Sequence, residues 1–249
     1  MQPKIQPNFS TEKSYKNLIV AGIDEAGRGP LAGPVVAACV ILNHDDFPSE
    51  INDSKKLSKI NRKKIFFELQ KKSQFGIGIV GEKIIDEINI LEATKLAMLH
   101  AFLDLQKKYK IFPQIILVDG NFRPFAKQDQ ISEIIPIVKG DQKSLSIAAA
   151  SIIAKETRDE IMLQLHQKYS QFGFDKHAGY PTKFHVEKIQ EFGICEFHRK
   201  SFEPIKSSLF GESKILNLYP FQLKKPIDQN YKNLDVMLSL SKHDSGFGA

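Results

Sequence analysis

Asp24 and Glu25 stand side by side at the end of an apolar segment, in the run Gly22-Ile23-Asp24-Glu25-Ala26-Gly27-Arg28-Gly29-Pro30-Leu31-Ala32-Gly33-Pro34. Burying an ionised carboxylate beside a strand is costly without a partner, and a divalent cation is such a partner. Arg28, between two glycines, offers a guanidinium together with backbone N–H groups that no Cβ shields. Both can approach a phosphate closely. The chemistry these residues describe is metal-dependent work on a phosphate ester.

Two further acids extend the pattern. Asp119 closes the apolar segment Ile115–Val118 and is followed by Gly120, and Asp141 follows Lys139-Gly140 just ahead of a helical pattern. Taken singly, Asp119 has an alternative as a turn residue, and Asp141 as a helix cap or dipole partner. As a set they are acids at the ends of separate elements, each near glycine, and three such ends can converge on one point. Alone, the charges would repel and raise one another's pKa. One or two Mg²⁺ or Mn²⁺ ions reverse that penalty, because hard cations take oxygen ligands. Two such ions ~3.5–4 Å apart can activate a water and stabilise the leaving oxygen of a phosphoryl displacement.

The elements that must position these groups read as a mixed α/β sheet. Leu18–Asp24 and Pro34–Leu42 are apolar strands joined by a short loop, which implies an antiparallel pair. Ser58 can cap a helix carrying Ile65, Phe66 and Leu69 on one side. Phe75–Val80 is a third strand. A long helix carries Thr94, Ala97, Met98, Ala101, Phe102 and Leu105 at three- and four-residue intervals. Ile115–Val118 and Ile134–Val138 are short strands, and helices follow over Ser144–Tyr169 and Thr182–Phe192. Taken as β-β-β-α-β-α-β, the succession places acids at carboxyl ends of strands, where sites of such sheets lie. Residues 1–16 read as a flexible leader, 17–207 as one catalytic domain with a C-terminal helical part, and 208–249 as an irregular tail.

A chain of 249 residues with 42% hydrophobic and 26% charged residues can bury a full core. Its net charge of +6 favours a polyanionic partner. With only Cys39 and Cys195, a reducing compartment fits better than a disulfide scaffold. The polar stretch Met1–Asn17 has no secretory core. The longest apolar stretch, Leu31–Leu42, contains Gly33 and Pro34 and is shorter than the ~18–20 residues of a membrane span. The expectation is a cytoplasmic protein with no membrane association.

Several motifs resemble the ribonuclease HII family. They are the Gly22–Pro30 run, Asp53-Ser54-Lys55-Lys56-Leu57-Ser58, Val118-Asp119-Gly120-Asn121, Lys139-Gly140-Asp141, Ser146–Lys155, Gly179-Tyr180-Pro181-Thr182 and His198-Arg199-Lys200-Ser201-Phe202. They occur in order between about Leu18 and Lys206. The resemblance implies an RNase H-like mixed sheet flanked by helices, with a C-terminal helical extension. It also implies an endonuclease that hydrolyses RNA in RNA–DNA hybrids and nicks DNA 5′ of embedded ribonucleotides, leaving 3′-hydroxyl and 5′-phosphate ends.

Carried over by position, Asp24, Glu25, Asp119 and Asp141 correspond to metal-binding acids. Gly27, Arg28 and Gly29 correspond to a loop that reads the 2′-hydroxyl, and Tyr180 to a residue packed on the nucleotide after the ribose. Telling RNA from DNA does require contact with the 2′-OH, and Tyr180 offers a stacking face, although a structural tyrosine is the plainer alternative. Lys55, Lys56, Lys139, Lys143 and Arg199 are candidate phosphate contacts. The expected partner is an RNA–DNA hybrid or ribonucleotide-containing duplex, the expected cofactor Mn²⁺ or Mg²⁺, and the expected state a monomer. Ribonuclease HIII fits less well, since that group carries an extra N-terminal domain and lacks the Gly-Arg-Gly loop. Two other classes remain as alternatives: a catalytically silent hybrid-binding protein, and a resolvase- or integrase-like nuclease of the same superfold.

Overall fold

Five strands carry the apolar runs in a computed structural model that describes residues 6–126 and 131–210. They are β1 (Val20–Ala26), β2 (Val35–Leu42), β3 (Ser73–Val80), β4 (Ile115–Asp119) and β5 (Glu133–Ile137), in the spatial order β3-β2-β1-β4-β5. β1 pairs antiparallel with β2 and parallel with β4, and β4 pairs parallel with β5. The register sets Ile23 beside Val118, so Asp24 and Asp119 leave neighbouring parallel strands at the same end. β1 and β2 read as continuous apolar runs because helices cover both faces of the sheet.

The short helix α1 (Ser10–Lys13) precedes the sheet, and α2 (Lys59–Lys72) follows β2. The α2 N-cap is Ser58, whose Oγ accepts from Asn61 N at 3.2 Å. One face of the sheet packs on α3 (Glu82–Tyr109) through Ala97, Met98, Ala101, Phe102 and Leu105. The other packs on α4 (Leu145–Lys168) through Ala148, Ala149, Ile152 and Ile153. The small-residue patch lets α4 lie close on β1: a Cβ at Gly22 would collide with the Ser146–Ile147 backbone. A third cluster joins Leu31, Ala32 and Val36 to the last turns of α4 and to α5 (Phe174–His177), α6 (Lys183–Phe192) and α7 (Ile205–Phe210). Here lies the C-terminal helical extension. Among the described residues no helix is long and apolar enough to cross a membrane.

Three expectations change. The succession is β-β-α-β-α-β-β-α. Gly120 and Pro124 break up the segment after β4, and Phe125 stacks on Phe102 of α3 with ring centroids 5.3 Å apart. Residues 6–16 of the leader are not loose, because Phe9 and Glu12 are buried. Helix α3 begins at Glu82 and breaks at Asn89, whose Oδ1 accepts from Leu91 N at 2.9 Å and so restarts it. The irregular tail was expected from residue 208, but α7 runs to Phe210. Residues 211–249 lie outside the described residues.

Candidate active site

Alternation along β1 sends Asp24 to the α4 side, where Gly22 also points, and its neighbour Glu25 to the other. Asp24 is 5% exposed and Asp141 4%. The Asp24 Oδ1 accepts from Glu25 N at 2.7 Å. Burial, with the carboxylates of Glu25 and Asp119, holds the Asp24 carboxyl well above its ordinary range, against the pull of the Ser151 hydroxyl. Burial also raises Glu25, opposed by Arg28 and aided by Asp119. Burial, Asp119 and Asp53 raise Asp141. Asp119 therefore stands at the centre of a row, felt by each of the other three acids. Its Oδ1 accepts from Gly140 N at 2.6 Å, which ties β4 to the short 3-10 turn Gly140–Gln142 that carries Asp141.

Among the described residues no three His, Cys, Asp or Glu side chains form a ready-made metal cage. The row nevertheless suits a hard divalent cation. Every donor is a carboxylate oxygen. The Glu25 Oε2 is buried with no hydrogen-bond partner, and the raised carboxyls are strained by charges that a cation would neutralise.

The loop after β1 is held from behind. Gly27 has φ +98°, and the Arg158 side chain lies where its Cβ would be; only glycine is comfortable there. Arg158 donates to Pro34 O at 2.9 Å, Ala178 O at 2.9 Å and Ala32 O at 3.0 Å. Arg199 donates through Nη2 to Gly27 O at 2.6 Å and Gly33 O at 2.8 Å, and through Nη1 to Arg28 O at 3.0 Å.

In a trans peptide the C=O of one residue and the N–H of the next point opposite ways. With the Gly27 and Arg28 carbonyls drawn inward, the Arg28 and Gly29 N–H groups point outward, and no acceptor within the described residues takes them. Arg28 itself pairs with Glu25 (Nη1–Oε1 3.3 Å). The Tyr180 ring, 43% exposed, lies beside Gly29, with Cε1 3.6 Å from where a Cβ there would sit.

Arg199 thus corrects the sequence reading. It is 0% exposed and cannot meet a phosphate; its guanidinium is spent on loop carbonyls. Burial pushes it down to about 9 and Arg158 to about 10, so both stay cationic at neutral pH. Lys55, Lys56 and Lys139 are exposed. The Lys55 Nζ lies 4.0 Å from Asp141 Oδ2, at the rim of the acids. Lys143 is also exposed, but its Nζ donates to Val138 O at 2.8 Å and closes the turn before Asp141.

Sequence reading missed Arg158, Asp53 and the buried histidines. Arg158 falls at helical spacing among Ser151, Ile161, Met162 and Leu165 on the buried side of α4, and an arginine at core spacing is a signal for it. Asp53 is buried beside the acids and was visible only as part of a motif.

A family model described as Ribonuclease HII matches residues 21–205. The chain belongs to the ribonuclease HII family. Ribonuclease HII of Chlamydia trachomatis serovar A is 48% identical over 210 residues, covering 84% of this chain and 92% of that one. Ribonuclease HII of Bacillus anthracis strain CDC 684 is 51% identical over 214 residues, covering 83% and 80%. Among solved structures, ribonuclease H2 from Pyrococcus horikoshii superposes with a TM-score of 0.60 at 29% identity, over 76% of this chain and 95% of that one. The mixed sheet with flanking helices is thus the RNase H-like fold, and the chain is a ribonuclease H hydrolase.

Behind the Tyr180 segment of this ribonuclease HII family member lies a buried histidine pair. The Cys195 N–H donates to His198 Nδ1 at 2.9 Å, which leaves the His198 proton on Nε2 to donate to His185 Nε2 at 3.1 Å. His185 Nδ1 then donates to Tyr180 O at 2.9 Å. Burial pushes His185 down to about 4 and His198 well below its usual range. The unfolded chain, with histidines near pKa 6.5, therefore binds more protons as pH falls below about 6.5. The stability these residues contribute is full above that pH and lost toward pH 4, at about 1.4 kcal/mol per pH unit for each histidine. The buried acids act in the opposite sense, so the effect is read by difference. The Tm gap between wild type and His198→Gln should shrink from pH 7 to 5; a constant gap would contradict it.

Proposed function

We propose that this chain cleaves RNA in RNA–DNA hybrids and nicks duplex DNA 5′ of an embedded ribonucleotide, leaving 3′-hydroxyl and 5′-phosphate ends. The observation that carries the reading is the acidic row set beside outward-facing N–H groups of the glycine loop. Asp24, Glu25, Asp119 and Asp141 would hold one or two Mg²⁺ or Mn²⁺ ions. When bound, such ions supply the Lewis acid for phosphodiester hydrolysis.

The chain's own residues do the rest. The Arg28 and Gly29 N–H groups, fixed from behind by Arg199, are donors for the ribose 2′-hydroxyl or the adjacent phosphate, in a place no Cβ obstructs. The exposed Tyr180 ring beside Gly29 offers an apolar face to the following sugar or base. Lys55, at the rim beside Asp141, attracts the nucleic-acid backbone. Beyond Tyr180, a cleft of about 250 Å³ carries Lys59, Lys176 and His177 beside the Lys155–Asp159 ion pair and Asp175; Lys56 and Lys139 stand exposed as further candidate backbone contacts. We place the protein, as a monomer, in the reducing cytoplasm, in keeping with its two free thiols.

The test is metal-dependent nicking of a duplex bearing one ribonucleotide, with end-group analysis, alongside a four-way junction. Cleavage of the junction alone would sink the reading, as would binding of the ribonucleotide duplex without turnover. Arg28→Ala and Tyr180→Ala should each lower kcat/KM on the single-ribonucleotide duplex by about tenfold or more and lower it less on a uniform hybrid. Equal losses on both substrates would remove the ribose-reading role.

A further inference from the structure

The first described residues are stitched to the turn that carries Asp141. Asn8 N donates to Lys143 O and Asn8 O accepts from Leu145 N, each at 3.2 Å. Phe9 anchors the segment, with its ring 4.9 Å from Phe47 in an edge-on contact. Glu12 then turns inward until it is 2% exposed. Its Oε1 accepts from Ser144 Oγ at 2.7 Å, Ser146 Oγ at 2.7 Å and Ser146 N at 3.0 Å. A carboxylate there meets N–H groups that lack intrahelical partners and the positive end of the α4 dipole. Ser144, the N-cap of α4, is thereby held by the distant leader.

From Ser144 the bonds run on into the acids. The Ser144 N–H donates to Gly140 O at 2.9 Å, and the Gly140 N–H donates to Asp119 Oδ1 at 2.6 Å. Asp141 sits on the turn those bonds enclose. The path Glu12–Ser144–Gly140–Asp119 thus joins the leader to an acid on β4 and spans the turn that bears another. These acids lie on separate elements, so their spacing depends on bonds between the elements.

We propose that Glu12 is a positioning residue: by bracing Ser144 it fixes Asp119 and Asp141 relative to each other and so sets the affinity of the acidic centre for a divalent cation. The inference rests on the reading of the acids as a metal centre. Groups bonded directly to metal ligands change affinity by about 10–100-fold when removed; Glu12 acts through Ser144 and Gly140, which sets its expected effect at the lower end, about tenfold.

The experiment measures Mn²⁺ binding to the full chain by calorimetry, without substrate, for wild type, Glu12→Ala, Glu12→Gln and Asp119→Asn. Glu12→Ala should raise the Mn²⁺ Kd about tenfold or more, while KM for a ribonucleotide-containing duplex at saturating Mn²⁺ stays within about twofold. Asp119→Asn is the control for the centre itself: if it binds Mn²⁺ as wild type does, the metal-centre reading fails and the inference falls with it. If Asp119→Asn loses Mn²⁺ but Glu12→Ala keeps the wild-type Kd and shows only a lower Tm, Glu12 is merely structural and the inference alone is overturned. Should Glu12→Ala fail to fold, Glu12→Gln decides. It keeps an oxygen for the serine hydroxyls, but a neutral acceptor holds them only about half as strongly as a carboxylate, so the brace is loosened and the Kd should rise by about threefold or more; an unchanged Kd overturns the proposal.

Discussion

Asp24→Asn should give a protein that is inactive yet more stable than wild type in the absence of metal. In the proposed metal centre, loss of one carboxylate removes several kcal/mol of stabilisation of the developing charge, a fall in kcat of about 10³-fold or more. The stability change follows from the raised carboxyl. Burial, Glu25 and Asp119 all hold the Asp24 proton on, so the folded state binds it more tightly than the unfolded chain does. Metal-free stability therefore declines as pH rises from about 4 through the raised pKa. An asparagine carries no charge to bury and can still accept from Glu25 N through its amide oxygen. At pH 8 with a chelator, Tm should rise by about 2–4 °C for each kcal/mol regained. Added Mn²⁺ should raise the Tm of wild type and not that of the variant. Wild-type turnover by an Asp24→Asn/Asp119→Asn protein would refute the mechanism. A lower metal-free Tm for Asp24→Asn would refute the electrostatic account.

Arg199→Met should damage both fold and function. It leaves the carbonyls of Gly27, Arg28 and Gly33 buried without their donor. Orphaned buried acceptors cost about 1–3 kcal/mol each, and partial relaxation brings the total to roughly 3–5 kcal/mol. Tm should fall by roughly 10 °C. Freed from the guanidinium, the Gly27–Gly29 peptides lose the reason to face their N–H groups outward. In the fraction that stays folded, kcat/KM on a single-ribonucleotide duplex should fall about 10²-fold. Arg199→Lys keeps the charge but cannot span Gly27, Arg28 and Gly33 at once, so it should rescue stability more than activity. Full activity in Arg199→Lys would show that only the charge counts. Arg199→Met turnover as high as wild type would remove the positioning role.

Much of the site is legible in the chain. Asp24 and Asp119 each follow an apolar run, so the pattern alone assigns them to the carboxyl-terminal parts of strands, although β1 continues to Ala26. Ser58 and Thr182 announce their helices through capping. The small residues from Ala148 to Ser151 announce close packing of α4 on the sheet, and Gly22 of β1 makes room for the Ser146–Ile147 backbone at its start. All these signals are local: a periodicity, a cap or a turn is complete within a few residues. The β4–β5 connection has no such local signal, because it is held by aromatic packing of Phe125 on Phe102 of a distant helix.

Sequence by itself determined the strands, the caps, the glycine loop and the acids at its edge, because each is specified by its immediate neighbours. Tertiary structure alone decided where the polar residues turn. Arg199, in a basic run, faces inward to the loop carbonyls. Glu12, in a polar leader, reaches the start of α4, and His198 joins His185 under Tyr180. A buried polar group must find a partner, and these partners lie far away in the chain; no local pattern records which distant backbone will come to meet it.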